Sequence, residues 1–379
     1  MSLELAEARN GRCSSSHQDG VAAAAEEHTN KSKKNSLWSS LKRKSRLYWL
    51  MLALSGVVTV VSTVSAFLIG RFYFTQGGSR RWLSAWIQVA GWPLSASMLF
   101  LQKTKSLRET LSISRKLASA YVVLGAINGG VCLLYAWGIS YLPASTSSIL
   151  ISTQLVFTSL FALVIVRKPL SPFMWNAVVL MTCSTVLVGL HSSSDKPPGL
   201  THSQYILGFV MTLAAAVLFG LLIPLFELVT KNLMASSSSA VAELMTFVNI
   251  VATVVLSIGM AINGDFSRIS AESRVFKSGR VSYFMTLFWS AVLYQVQYLS
   301  VTGVAMLASS LLSGILITAS TPLVSIFAFF FFHDNLGGVK IMALVLSVWG
   351  FISYAYGGYL DEKSKAPIAE DKSNDREEV

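Results

Sequence analysis

Ten long apolar segments run through this chain of 379 residues, and they limit its possible folds more than any other feature. A helix needs about 20 mainly apolar residues to cross the hydrocarbon core of a bilayer. Only 13% of the residues are charged and 53% are hydrophobic, whereas roughly a quarter of the residues in soluble domains are charged. The sequence therefore predicts an all-α membrane protein with ten transmembrane helices, at 48–70, 81–101, 117–139, 142–166, 173–191, 205–226, 238–262, 283–305, 307–331 and 338–359.

Polar segments flank and divide these spans. Residues 1–46 form a polar, basic head and residues 361–379 a charged tail, and both are expected to be disordered in the cytosol. The spans group into two sets of five, 47–191 and 205–360, joined by an extracellular or lumenal linker at 192–204. Because five is an odd number, the second set would be inverted relative to the first, as in many transporters.

The distribution of Lys and Arg predicts the orientation of the chain. With the N-terminus inside, most of the 30 Lys and Arg residues fall in inner segments, as the positive-inside rule requires. Both termini are therefore expected in the cytosol, although the longest connection, 263–282, is basic and would lie outside. The net charge of +11 is explained by the same loops and tails, so no nucleic-acid partner is expected.

Three amide side chains lie at similar depths in their spans. Asn128, Gln154 and Gln295 are each about 11 residues from the start of a span, and so is Trp92. At 1.5 Å per residue all four lie roughly 16–18 Å deep, near the centre of a core about 30 Å thick. An amide donates and accepts together, and an indole can stack on a flat ring. We expect a buried site for a neutral, planar ligand; the alternative is that the amides only bond other helices.

Further residues in the spans indicate function. Glu243 is an acid within the seventh span, and intramembrane carboxylates are costly enough to suggest a role in proton coupling. Pro322 follows Thr321 in the ninth span and predicts either a hinge or a static kink. The second and eighth spans are the weakest, because polar or helix-breaking residues interrupt them: Gln88, Trp92, Pro93, Gln295 and Gln297.

Several blocks of sequence resemble the plant purine permeases, a family of the drug/metabolite transporter superfamily. The blocks are 77–86 with 91–93, 142–146 with 152–155, 332–334 with 338–340, and 349–354. The resemblance covers roughly residues 45–360. It implies ten helices in a five-plus-five inverted repeat. It also implies transport of adenine, related purines and cytokinins, in some members alkaloids or vitamin B6, mostly in symport with protons.

The sequence departs from the family pattern at two positions. The family often has Asn where this chain has Thr158, and Gln where this chain has Met245. Both changes remove an amide and favour a less polar ligand. The candidate substrate-binding residues are Trp92, Asn128, Gln154, Thr158, Gln295 and Thr321, with Glu243 for proton coupling and Pro322 as a hinge.

The sequence thus predicts a secondary active transporter that imports purine-like heteroaromatic bases by alternating access. A carrier of another planar heterocycle, such as an alkaloid or vitamin B6, is the alternative, and a receptor that binds without transport is a further one. The sequence contains no catalytic motif or metal-ligand spacing, so we expect neither an enzyme nor a cofactor. The expected partners are the small-molecule substrate, protons and membrane lipid, in the plasma membrane rather than the vacuole or endoplasmic reticulum.

Overall fold

The computed structural model describes seven stretches of the chain, and its regular elements there are all helices. The stretches are 46–101, 114–166, 171–190, 200–233, 240–307, 310–333 and 337–377. The predicted disordered head lies outside them except for its last residue, and so does most of the predicted linker 192–204. Contacts divide the chain into Met1–Leu54 and Ser55–Val379, and the packing described below is that of the second unit. The expected all-α class is confirmed.

The helices follow the predicted spans closely. The first half contains α1 (Arg46–Thr75), α2 (Arg81–Ala90), α3 (Trp92–Leu101), α4 (Arg115–Tyr141), α5 (Ala144–Ser152), α6 (Gln154–Phe161), a π-helical turn (Ala162–Val166) and α7 (Pro172–Leu190). The second half contains α8 (His202–Leu233), α9 (Ala240–Asn263), α10 (Asp265–Val275), α11 (Gly279–Leu307), α12 (Ser310–Phe332) and α13 (Gly338–Glu377).

Six helices within the described stretches are long and apolar enough to cross a membrane. They are Leu50–Thr75, Arg115–Tyr141, Ala144–Ile165, His202–Thr230, Ala242–Asn263 and Gly338–Gly358. Two shorter apolar helices, Pro172–Val188 and Leu316–Phe332, accompany them. Large apolar side chains such as Val164 and Ile262 are mostly exposed, which suits contact with lipid rather than water.

Two of the predicted spans are broken near their middle. The second span divides at Gly91, and Pro93 lies in the first turn of the next helix, where proline is tolerated. The fourth span divides at Thr153, whose hydroxyl donates to the carbonyl oxygen of Leu150 at 2.6 Å. The hydroxyl of Ser152 bonds Ile149 in the same way. Such side-chain bonds compete with the helical ladder, so the hydroxyl-rich sequence accounts for the second break.

Close helix packing depends on glycine at several crossings. A Cβ added at Gly125 of α4 would lie 2.5 Å from the Val251 side chain of α9, so the two helices approach closely there. At Gly138 of α4 an added Cβ would lie 2.0 Å from the hydroxyl oxygen of Thr212 in α8. Small residues let backbones come together in this way where lipid gives no hydrophobic drive between helices.

The longest predicted loop, 263–282, is largely helical, which corrects the sequence interpretation. It contains α10, which begins after Gly264, a residue in the left-handed conformation (φ 68°). Glu272 of α10 is buried and accepts hydrogen bonds from the hydroxyls of Tyr73 and Tyr283 and from the backbone N–H and hydroxyl of Ser79. These bonds fasten α10 to the ends of α1, α2 and α11. The sequence contains no sign of this helix, because it is polar and docks through hydrogen bonds.

The last helix also differs in length from the predicted span. Its backbone is helical to Glu377, past residue 359 and through a segment for which disorder is expected.

Candidate functional site

A cavity of about 80 Å³ lies between the helices of the second unit. Its walls come from α1, α2, α4, α5, α6, α8, α11 and α12. Half of its twelve lining residues are apolar: Phe67, Val131, Cys132, Ile151, Phe219 and Ile317. One water needs about 10–15 Å³ of such space, so the cavity has room for several waters or a small ligand.

Six uncharged polar side chains complete the lining. They are three amides and three phenols: Gln88, Gln154, Gln297, Tyr135, Tyr294 and Tyr298. None of the residues that line this cavity carries a charge. Burying an unpaired charge costs far more than burying a hydrogen-bonded neutral group. The lining therefore suits a neutral ligand with hydrogen-bonding edges and disfavours a phosphorylated one.

Gln154 lies where the fourth span is broken. It is the first residue of α6, follows the break at Thr153, and is 4% exposed. Its side chain borders this cavity and a smaller one of about 10 Å³. Discontinuous helices often line substrate sites in carriers, and Gln154 stays the predicted ligand-binding amide at this break.

The smaller cavity is rich in hydroxyl groups and has room for about one water. Gln154 and Thr321 line it together with Ser148, Ser152, Thr318 and Ser320. The structure therefore brings two of the predicted binding residues, Gln154 and Thr321, to one place.

Asn128 and Gln295 lie outside the lining of both cavities and bond neighbouring helices instead. The amide nitrogen of Asn128 donates to the amide oxygen of Asn249 in α9 at 3.1 Å. That of Gln295 donates to the hydroxyl of Ser95 in α3 at 2.9 Å. Gln295 packs against the break in the second span, where an added Cβ at Gly91 would lie 2.8 Å from its own Cβ. In this conformation the alternative interpretation, bonds between helices, describes these two amides.

The remaining predicted residues have separate environments. Trp92 is half-buried at the start of α3 and does not line either cavity. Thr158 is also half-buried, and its hydroxyl has no hydrogen-bond partner among the described residues. The backbone nitrogen of Thr158 lies 2.9 Å from where a Cβ at Gly220 of α8 would stand. α12 passes Pro322 as one continuous helix.

Glu243 is buried in the first turn of α9, at 5% exposure. Its carboxylate accepts a hydrogen bond from the Tyr121 hydroxyl at 3.4 Å, and the Tyr121 ring stacks on Phe247 with centroids 5.1 Å apart. Tyr121 is ten residues before Val131 of the cavity wall, or roughly 15 Å along α4. Across the described ranges, no three His, Cys, Asp or Glu side chains come together as a metal site.

The sequence interpretation missed Gln88, Gln297 and the three tyrosines as lining residues. Gln88 and Gln297 did carry a signal, because each interrupts an apolar span, but it was interpreted only as weakness of the span. The tyrosines gave no comparable signal, since aromatic residues are common in apolar helices. Gln88 is held by hydrogen bonds from its amide nitrogen to the carbonyl oxygens of Ser84 and Cys132 at 3.2 and 3.4 Å.

Several membrane-length helices around a cavity without charged lining residues define the class of this protein. It is an integral, multi-pass membrane protein.

The family description "Purine nucleobase transmembrane transport" matches residues 50–364, and the chain belongs to this purine permease family. "Probable purine permease 5" of Arabidopsis thaliana is 36% identical over 86% of this chain and 90% of its own length. "Purine permease 3" of the same plant is 35% identical over 85% of this chain and 94% of its own length. These relatives are named as permeases, so the chain is a member of a transporter family and not an enzyme. The resemblance seen in the sequence is confirmed.

A solved structure titled "Crystal structure of protein" has a similar fold. It superposes with a TM-score of 0.53 over 80% of this chain and 96% of its own, at 14% sequence identity. This likeness concerns the fold alone.

Proposed function

We propose that this chain imports purine-like heteroaromatic bases, such as adenine and cytokinins, by alternating access coupled to protons. The observation that carries the proposal is the uncharged cavity with Gln154 at a helix break. The names of the relatives, which are purine permeases, support the same substrate class.

Gln154 is the proposed anchor for the edge of the base. A primary amide can form two hydrogen bonds with the N6 and N7 positions of adenine, donating one and accepting one. The flat faces of the ligand would contact the apolar walls. There the ring of Phe67 meets that of Tyr135 edge-on, with centroids 5.5 Å apart. Thr321 would reach the ligand through the smaller cavity. Direct contacts from Trp92, Asn128, Thr158 and Gln295 remain predictions for other conformations of the cycle.

Ten helices in two inverted sets of five are part of the proposal. Near the axis of such a repeat, equivalent spans contact each other. The fourth and ninth spans do so here, with the hydroxyl oxygens of Ser148 and Ser325 3.3 Å apart. The fifth and tenth spans also meet, where the amide nitrogen of Asn176 donates to the hydroxyl of Ser353 at 3.0 Å. Both contacts support the arrangement and a cavity at its interface.

We assign proton coupling to Glu243 and a hinge to Pro322. We also expect the protein in the plasma membrane, with both termini in the cytosol. A buried carboxylate can bind a proton when its surroundings open to water and release it on the other side. The Tyr121 hydroxyl, which bonds the carboxylate, supports this role because the bond depends on the conformations of α4 and α9. Glu243→Gln should abolish the dependence of uptake on the proton gradient while binding persists.

The direct test is uptake of labelled adenine and of a labelled cytokinin by cells that express the chain. Gln154→Ala should raise KM about tenfold, since it removes two hydrogen bonds. Val164→Ala is the matched control, because Val164 lies in the same span with a side chain 73% exposed. No uptake of any such base, together with no effect of a proton uncoupler, refutes the proposal. Uptake of an alkaloid or vitamin B6 in preference to purines would favour the alternative substrate.

A further inference from the structure

The cavity contains a group of phenols that the amide site does not use. Tyr294 and Tyr298 are four residues apart on α11 and so share one face of that helix. Tyr135 of α4 faces the same space, with the Tyr294 and Tyr298 hydroxyls as polar neighbours. Gln154 enters the cavity from a different helix, α6. A flat ligand held by Gln154 at one edge therefore presents other edges to these phenols.

The Tyr135 hydroxyl is buried without a hydrogen bond of normal geometry. The side chain is 6% exposed, and its hydroxyl oxygen makes no hydrogen bond of accepted distance and angle among the described residues, with the Tyr294 hydroxyl as its polar neighbour. By comparison, the Tyr298 hydroxyl interacts with the thiol of Cys132. Buried hydroxyls in folded proteins usually have a partner, and the ring of Tyr135 is fixed by its edge-on contact with Phe67. A phenol whose hydroxyl lacks a hydrogen bond, in a side chain that lines the cavity, is a ready contact for a ligand.

We propose that the Tyr135 hydroxyl donates a hydrogen bond to a ring nitrogen of the bound base, and so determines which heterocycles the carrier accepts. The inference rests on the proposed function. It assigns a second recognition point, separate from the edge that Gln154 pairs. A heterocycle with a carbon–hydrogen group in place of that nitrogen would leave the phenol without an acceptor and would bind more weakly. The site would thus select planar rings that offer an amine-bearing edge and an additional in-plane lone pair.

The test compares adenine with 1-deaza-, 3-deaza- and 7-deazaadenine as substrates of the wild-type chain and of Tyr135→Phe. Each deaza compound replaces one ring nitrogen by carbon. 7-Deazaadenine lacks the N7 atom that Gln154 pairs, so it tests Gln154. For the wild type, one of the other two compounds should show a KM about tenfold higher than that of adenine. Tyr135→Phe should raise the KM for adenine by a similar factor and leave the KM for that one compound unchanged. Tyr356→Phe is the control for expression and insertion, because Tyr356 is half exposed and does not line the cavity.

A merely structural role for Tyr135 predicts something different. Tyr135→Phe would then raise KM by the same factor for adenine and for every deaza compound, and this result would overturn the inference. The wild type supplies a second measurement if the variant does not reach the membrane. If adenine has the same KM as every deaza compound that keeps the edge paired by Gln154, the inference would also be overturned. If the wild type takes up adenine but no such deaza compound has a raised KM, this inference alone is wrong. If the wild type takes up no base, the proposed function is wrong as well.

Discussion

Replacing Glu272 with alanine removes the shared acceptor that joins α10 to the ends of three other helices. The carboxylate accepts from Tyr73 at 3.0 Å, from Tyr283 at 2.9 Å and from two donors of Ser79. Tyr73 is 3% exposed and Tyr283 is 0% exposed. The variant therefore leaves two buried phenol hydroxyls without their acceptor, in a place with little access to water.

The size of the effect follows from these orphaned groups. A buried polar group that loses its partner costs about 1–3 kcal/mol, so two phenols cost about 4 kcal/mol together. The lost bonds of Ser79 add little, because Ser79 lies at a partly exposed loop where water can replace the carboxylate. Glu272→Gln keeps one acceptor oxygen without the charge. Since charged acceptors form stronger bonds, that variant should lose about half as much, or about 2 kcal/mol.

Thermal unfolding of the purified protein in detergent measures this loss as a shift of the apparent Tm. For a chain of this size 1 kcal/mol corresponds to roughly 2 °C, so we expect a fall of about 8 °C for Glu272→Ala and about 4 °C for Glu272→Gln. Arg268→Ala is the control, since Arg268 is an exposed residue of the same helix and should change Tm by no more than about 1 °C. An unchanged Tm for Glu272→Ala would show that the docking of α10 contributes nothing to stability, and the reasoning would be wrong.

Two further predictions concern helix packing. Gly259→Ala should destabilise the protein, because the added Cβ would lie 2.1 Å from the ring of Trp82. By contrast, a Cβ added at Gly130 meets nothing within 4 Å, so Gly130→Ala should be neutral or stabilising. Equal melting temperatures for the two variants would contradict this. Asn128→Leu should cost about 1 kcal/mol, and adding Asn249→Leu should restore part of it, since no amide is then left unpaired. Uptake with an unchanged KM in the double variant would show that Asn128 serves helix packing alone, whereas a KM raised about tenfold would show the substrate contact predicted for another conformation of the cycle.

The helices themselves were predictable because their causes are local. Apolar length determines a span, and the Gly91-Trp92-Pro93 sequence indicates the break between α2 and α3 within a few residues. The docking of α10 was not predictable in this way. Glu272 bonds Ser79, which is 193 positions away in the chain, and no local pattern in one sequence specifies such a pairing.

The candidate site shows a second limit of sequence reasoning. Depth along a span could be counted, and it placed both Gln154 and Gln295 near the middle. The direction in which each side chain points around its helix could not be derived in this way, since residues two apart on a helix point about 200° apart. Gln295 faces α3 and bonds Ser95, whereas Gln297 faces the cavity. The predicted span therefore contained Gln297, but the packing of the helices was needed to show that this residue, and not Gln295, lines the cavity.

The two helix breaks explain why amides at similar depth differ in availability. At Gly91 the break is filled from outside: the backbone of α11 and the side chain of Gln295 approach so closely that no Cβ fits. At Thr153 the hydroxyls of the break bond their own helix, and Gln154 borders open space. Because water or a ligand can satisfy an amide that borders such space, Gln154 can exchange one for the other at little cost. The amide nitrogen of Gln295, already bonded to Ser95, would first have to break that bond. The availability of a polar group, rather than its depth alone, thus determines which residue can serve a carrier that must both bind and release.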